Sequence, residues 1–279
     1  MTDLAGWLEV ARHSLAAVAD QPSIEAQALL AAALGRSRAW IFSHPEELLS
    51  AAELARLTDW LTRRQNGEPL PYILGRWEFY GLEFHVTPAV LIPRPESELI
   101  VDLGRDWLLA HPGPQRCADV GTGSGCIAAA LAYWTPDLSV IACDRWMAAL
   151  DVARGNLGRL GLAQRVALAQ ADLLCGLRGP FGLICANLPY IPSASLDELD
   201  VARYEPRAAL DGGPDGLRLI EPLLEQAITR LAPGGRILLE IEISQERSAL
   251  RLAEGIFPQA RYEVKADLAG LPRVLVIDV

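Results

Sequence analysis

Asp119-Val120-Gly121-Thr122-Gly123-Ser124-Gly125 joins a short strand, residues 117–120, to an apolar helix, residues 126–134. Glycine takes positive φ readily and lets backbone approach a guest closely, so this alternation suits a loop that cradles a ligand. The spacing is not G-x-G-x-x-G, because Cys126 holds the sixth position, and no G-K-[ST] follows. Phosphate cradling of the P-loop kind is therefore disfavoured, and a tight strand–helix turn without a ligand is the plainer alternative for the loop alone. Outward from it the unit repeats: strands are expected at 139–143, 166–171 and 181–186, with a helix at 146–160 closed by Gly161. Beyond a Pro-, Gly- and Asp-rich insertion at 191–214 come a helix at 217–231, a turn at Pro233-Gly234-Gly235, a strand at 236–241 and a helix at 244–255. Residues 262–265 and 274–279 are expected to form a closing hairpin. Repeated strand–helix units imply an α/β fold with a doubly wound, parallel sheet.

Residues before about Pro71 read differently, as a small helical bundle. Trp7, Ala11, Leu15 and Val18 recur at helical spacing, and an apolar stretch at 24–34 stops at Gly35. Ser50-Ala51-Ala52-Glu53 is a capping box before Leu54, Leu57 and Leu61, with Asn66-Gly67 as terminator. Trp77 and Phe79, then Leu82, Phe84 and Val86, alternate about Tyr80-Gly81 as a β-hairpin. Leu91-Ile92-Pro93-Arg94-Pro95 is a rigid connector, and Pro95-Glu96-Ser97-Glu98 opens a helix with acids on its positive first turn. The expected division is a helical domain at 1–74, a hairpin and Pro-rich linker at 75–95, and the α/β domain at 96–279.

Strand ends carry the candidate chemistry, because open α/β sheets bind ligands at their carboxyl edge. Asp144 ends the second strand, about 20 residues past the glycines, where an acid can accept from ribose hydroxyls; capping the next helix is its other use. Asp172 ends the third, where a carboxylate can receive an exocyclic amine or serve as an ordinary loop residue. Asn187-Leu188-Pro189-Tyr190 ends the fourth. The Asn187 side-chain oxygen and the Leu188 carbonyl can together accept both hydrogens of a planar –NH2 group, with Tyr190 as a wall; a plain strand-to-loop turn is the alternative. Taken together, these strand ends make a coherent nucleoside site beside an amide or amine pocket.

The 279-residue chain is 51% hydrophobic and 22% charged, as in soluble globular proteins. No run approaches the roughly 18 apolar residues of a membrane span, and Met1-Thr2-Asp3-Leu4 carries no basic leader, so a cytoplasmic protein without membrane attachment is expected. Cys117, Cys126, Cys143, Cys175 and Cys185 show no C-x-x-C pairing and read as reduced core residues rather than ligands. A formal charge of −10 argues against direct nucleic-acid binding.

On these residues the chain resembles the protein-(glutamine-N) methyltransferases of the PrmC/HemK family, which modify peptide chain release factors. Residues 119–125 are similar to that family's S-adenosylmethionine loop, and 91–98 to its interdomain motif, with Ser97 where Thr is usual. Residues 70–84, Tyr204-Glu205-Pro206-Arg207, Leu210-Asp211-Gly212-Gly213, Asp215-Gly216 and Asp267-Leu268-Ala269-Gly270 also match. The resemblance implies a class I S-adenosylmethionine-dependent methyltransferase sheet at 96–279; the N-terminal helices hold no cluster suited to chemistry and are expected to serve substrate recognition or packing. It implies that Asp119, Gly121, Thr122, Gly123, Ser124, Gly125 and Asp144 hold the methionine and ribose parts of the cofactor. Asp172 and Leu173 would flank its adenine, and Asn187, which also borders the cofactor, would grip the substrate with Leu188, Pro189 and Tyr190. The implied reaction methylates the side-chain amide nitrogen of the release-factor GGQ glutamine and leaves S-adenosylhomocysteine. No metal is implied, because the sulfonium supplies the leaving group. A ribosomal-protein glutamine, or an exocyclic amine of an RNA or DNA base, is the alternative acceptor.

The chain departs from the family pattern at Leu188, where Pro is usual, and at Trp146 and Glu242, both expected near the rim of the site.

Overall fold

The computed structural model describes residues 2–279 and divides into two compact units, Met1–Arg76 and Trp77–Val279. In the smaller unit, helices α1 (Leu4–Leu15), α2 (Pro22–Leu34), α3 (Arg38–Ser43), α4 (Ala51–Gln65) and α5 (Leu70–Leu74) enclose Leu4, Trp7, Ala11, Leu15, Leu30 and Leu57. The capping box forms as read, with Ser50 and Glu53 bonding each other's backbone N–H, and Gly35 ends α2 in the left-handed region. Val18 does not continue the apolar stripe: α1 stops at Leu15, and Val18 is exposed in the following turn. Arg64 ties α4 to α2 through Glu25 at 2.6 Å.

The larger unit opens with hairpin β1 (Arg76–Phe79) and β2 (Leu82–His85), whose connecting Tyr80 and Gly81 have φ of 54° and 73°. Two consecutive positive φ values match the twist of hairpin strands. Phe79, Leu82 and Phe84 pack into the larger unit's own core beside Ile100 and Leu131. A 3-10 turn at Pro95–Ser97 leads into α6 (Glu98–Ala110). Then come β3 (Gln115–Val120), α7 (Cys126–Trp134), β4 (Leu138–Asp144), α8 (Met147–Arg159), β5 (Val166–Gln170) and β6 (Phe181–Ala186). The insertion holds a two-stranded sheet, β7 (Ile191–Pro192) and β8 (Asp211–Gly213), which its Pro-, Gly- and Asp-rich composition does not signal. The remaining elements are α9 (Ile220–Ala227), β9 (Leu231–Glu240), α10 (Glu246–Ile256), β10 (Arg261–Ala266) and β11 (Pro272–Asp278).

Among the described residues, the central sheet runs β10-β11-β9-β6-β3-β4-β5. Pairs β3–β4, β3–β6, β4–β5 and β6–β9 are parallel, and β11 runs antiparallel to both neighbours. Strand β6 is buried throughout. Its side chains alternate, Leu183 and Cys185 joining the core on one face, Ile184 and Ala186 that on the other, as a strand covered on both faces must. The order reverses at β3, so the crevice beyond β3, β4 and β6 is the topological switch point.

Two expectations change. Helix α9 ends at Ala227 instead of reaching residue 231, and Pro233-Gly234-Gly235 lies within β9 rather than before it. The pairing with β6 jumps from Phe181–Leu231 to Leu183–Arg236, so the Pro-Gly-Gly segment is an irregularity in a paired strand. It stays bonded because Gly234 N–H donates to the Val279 carbonyl and Val279 N–H to Gly235. Among the described residues no helix is long and apolar enough to cross a membrane.

Candidate active site

The crevice is a cavity of about 690 Å³ at the carboxyl ends of β3, β4 and β6, a size suited to a small-molecule cofactor. The glycine loop forms one wall. Gly121, Gly123 and Gly125 have φ of 73°, 54° and 81°, so an L side chain at any of them is strained. Gly121 and Thr122 N–H both donate to the Cys143 carbonyl at 2.9 Å, stitching the loop to the end of β4. A Cβ at Gly121 would stand 3.0 Å from Leu188 Cδ2, so the bare backbone there makes room for Leu188. Ser124 and Thr122 face the cavity, whereas Gly125 packs behind it, where a Cβ would meet Ala153 at 3.2 Å.

Asp119 also stands behind the wall. Its Oδ2 accepts from Thr122 Oγ1 at 2.6 Å and Ala128 N–H at 3.1 Å, fixing the loop to the start of α7. Its Oδ1 is buried with no hydrogen-bond partner, and burial pushes its carboxyl up to about 6. The acidic end of β3 is thus a buried brace for the loop.

Asp144 caps the next helix, as its position allows, and also braces the glycine loop. Oδ2 accepts from Gly123 N–H at 3.0 Å, and Oδ1 accepts from Trp146 N–H at 2.9 Å at the start of α8. A carboxylate has about four acceptor positions, so Asp144, on the cavity wall, keeps capacity for ribose hydroxyls. Burial raises its carboxyl above the usual range. Trp146, 55% exposed, offers a flat apolar face on the same wall. Leu173 adopts φ of 55°, unusual for a branched side chain, and both it and the exposed Asp172 line the cavity. The Leu173 carbonyl accepts from the Cys143 thiol at 3.2 Å. Burial pushes the Cys126 and Cys143 thiols up to about 12, which suits inert packing; Cys175, in contrast, is exposed.

Asn187, Leu188 and Pro189 line the same cavity from the end of β6, next to the glycine loop. Asn187 Nδ2 donates to Ser97 Oγ at 2.8 Å, and Ser97 Oγ donates to Glu240 Oε2 at 2.5 Å. Tyr190 does not line the cavity; its hydroxyl donates to Glu240 Oε1 at 3.3 Å, and burial beside that carboxylate raises its own pKa. The backbone of Tyr190 is wedged between the insertion's glycines and Gln245, which donates to the Tyr190 carbonyl at 2.8 Å. A Cβ on Gly212 would lie 2.7 Å from Tyr190 Cα, and one on Gly216 only 2.2 Å from Tyr190 O. Glu242 does not reach the cavity: it caps the turn Ile243–Gln245 and accepts from Ser244 N–H at 2.7 Å.

Several contributors were given no role at the site in sequence, Ser97 having been noted only as part of the interdomain motif. Ser97, Glu240 and Gln245 are buried polar residues, 2%, 2% and 3% exposed. Glu240 carries a readable sign, a charge that ends an apolar strand at the ligand edge, as Asp144 does. Asn156 carries none. Fully buried in α8, it donates to the Ser124 carbonyl at 2.8 Å and accepts from His85 N–H at 2.7 Å, tying β2 to the glycine loop. The connector and the insertion also meet: Glu205 accepts from Ile92 N–H at 3.0 Å and pairs with Arg94, whose side chain lines the cavity.

Residues 6–75 match the family described as the PrmC N-terminal domain, and 97–202 the methyltransferase small domain. A release factor glutamine methyltransferase of Bradyrhizobium diazoefficiens is 40% identical over 96% of this chain and 93% of its own length. One from Moorella thermoacetica is 42% identical over 95% of this chain and 94% of its own. Among solved structures, the N-terminal domain of human METTL16 in complex with SAH superposes with a TM-score of 0.52 at 15% identity, over 81% of this chain and 82% of that one. The last likeness concerns the fold, that of class I S-adenosylmethionine-dependent methyltransferases.

Proposed function

This chain belongs to the release factor glutamine methyltransferase family, and from that premise we propose that it methylates the side-chain amide nitrogen of the GGQ glutamine in peptide chain release factors. The observation that carries this reading is one shared cavity, lined both by the glycine loop and Asp144 and by Asn187 and Leu188. The residues fit S-adenosylmethionine. Side-chain-free backbone at Gly121 and Gly123 admits close approach, Asp144 retains acceptor capacity, and Leu173 and Trp146 supply apolar surface for a base. When bound, that cofactor supplies an electrophilic methyl on a sulfonium and departs as S-adenosylhomocysteine.

The protein's own part is positioning. An amide nitrogen is a poor nucleophile because its lone pair is delocalised. With Nδ2 of Asn187 committed to Ser97, the amide's acceptor end is the one left for a guest. Asn187 Oδ1 and the Leu188 carbonyl would each take one N–H of the glutamine amide and stabilise the positive charge that grows there. Leu188 keeps the carbonyl that the usual Pro would provide, and its side chain packs beneath Gly121. A release-factor substrate would have the enzyme work in the cytoplasm with the translation machinery, and its charge of −10 suits a protein partner better than nucleic acid.

The test supplies methyl-labelled cofactor with a purified release factor, ribosomal proteins and rRNA. Label is expected on the GGQ glutamine, and label confined to RNA overturns the reading. Asn187→Ala should abolish transfer, by at least about 100-fold, while cofactor affinity persists.

A further inference from the structure

Glu240 links both polar side chains of the Asn-Leu-Pro-Tyr motif, bonded to Tyr190 directly and joined to Asn187 through Ser97. We propose that Glu240 is a positioning residue: through Ser97 it holds the Asn187 amide with its oxygen, not its nitrogen, toward the guest. This inference rests on the amide-methylating reading above.

The direction of the relay carries the proposal. An ionised carboxylate only accepts, so the Ser97 hydroxyl must point its hydrogen at Glu240 and offers only lone pairs to Asn187. Those lone pairs take Nδ2. Turned over, Asn187 would aim an –NH2 group at the –NH2 group of a glutamine, and two donors would face each other without an acceptor. Both Ser97 and Glu240 are 2% exposed, so water does not compete for these bonds. Burial in low dielectric also strengthens the chain of bonds and lets the charge on Glu240 bias the Asn187 oxygen.

Burial raises the Glu240 carboxyl above its usual range and Glu96 adds to that, while the Ser97 hydroxyl on Oε2, Arg273 on β11 and the Tyr190 hydroxyl on Oε1 favour its charged, accepting form. Arg273 is itself fixed by Asp267 at 3.1 Å, within the hairpin loop of β10 and β11. The placement of Glu240 follows from topology. Its pairing with Val274 seats it between β6 and β11, beside the end of the strand that delivers Asn187.

The test uses the full chain and the variants Ser97→Ala, Ser97→Thr, Glu240→Gln and the Ser97→Ala/Glu240→Gln double. Release-factor methylation by Ser97→Ala is expected to lose roughly 10- to 100-fold in kcat, with cofactor affinity by calorimetry unchanged. Ser97→Thr, which keeps the hydroxyl, should recover most of kcat. The double variant should be no slower than the slower single, because both cut one relay. The NMR signals of the Asn187 side-chain amide, assigned by their loss in Asn187→Ala, read the relay without any substrate. They should shift as Glu240 protonates on acidification, and this step should vanish in both Glu240→Gln and Ser97→Ala. Wild-type kcat in Ser97→Ala, losses that multiply in the double, or an acid shift that survives in Glu240→Gln would each overturn the relay. A wild-type enzyme that labels no glutamine overturns the functional reading instead, and the NMR titration still decides the relay.

Discussion

Leu188 and Gly121 form a pair at the residue scale. The family's Pro is absent, and the freed side chain lies where a Cβ on Gly121 would come within 3.0 Å. Gly121→Ala therefore meets two penalties, a φ of 73° and a collision with Leu188. A loss of about 1–2 kcal/mol is expected from the backbone alone, read by denaturant melts, together with weaker cofactor binding in calorimetry. Asp119 makes a pH-dependent contribution. Its carboxyl titrates at about 6 in the fold against 3.8 when unperturbed, so the folded state binds the extra proton between those values. The stability it contributes is complete below the lower value and is lost as pH rises through the upper one, by at most about 3 kcal/mol. Asp119→Asn, which retains an acceptor, should flatten the dependence of Tm on pH between about 4 and 6.

At the scale of elements, the connector before α6 and the insertion after β6 hold each other through Arg94, Ile92 and Glu205. The Glu205 side chain is 2% exposed and that of Arg94 33%, so the pair is buried from one side. Arg94→Ala leaves an uncompensated buried carboxylate at a cost of about 3 kcal/mol, the low end for such pairs because Arg94 reaches solvent. Glu205→Gln keeps an acceptor for Ile92 and should cost less. Faster hydrogen exchange at Ile92 in Arg94→Ala, with a fall in kcat/KM, would confirm that the insertion is latched to the cavity rim. The insertion's glycines serve the same end, since Gly212 and Gly216 leave no space beside Tyr190 for any side chain. Glu242 was expected at the rim; its carboxylate instead satisfies the N-terminus of a short turn.

For the whole molecule, the two units have separate cores, Leu4, Leu30 and Leu57 in one and the two faces of the sheet in the other. The cavity is lined by the larger unit alone. Removal of residues 1–76 is therefore expected to leave cofactor affinity in place while the KM for a release factor rises at least about 10-fold, if the helices serve recognition. Unchanged release-factor methylation by the truncated chain would refute that role.

Local patterning sufficed for much of the plan, because side-chain periodicity, glycine φ preference and capping are short-range effects. The glycine loop, the bounds of α7 and β6, the capping box at Ser50 and the polar strand ends Asp144 and Asn187 were all legible in this way. Polar partnership was not. Asn187 meets Ser97 across 90 residues of chain, and Ser97 meets Glu240 across 143. Only the strand order, with β9 between β11 and β6, brings those groups together. For the same reason Pro233-Gly234-Gly235 reads as a turn but sits in a strand: its hydrogen-bond partners lie at the far end of the chain, at Val279. A buried donor must find an acceptor wherever the fold supplies one. No window of sequence contains that choice.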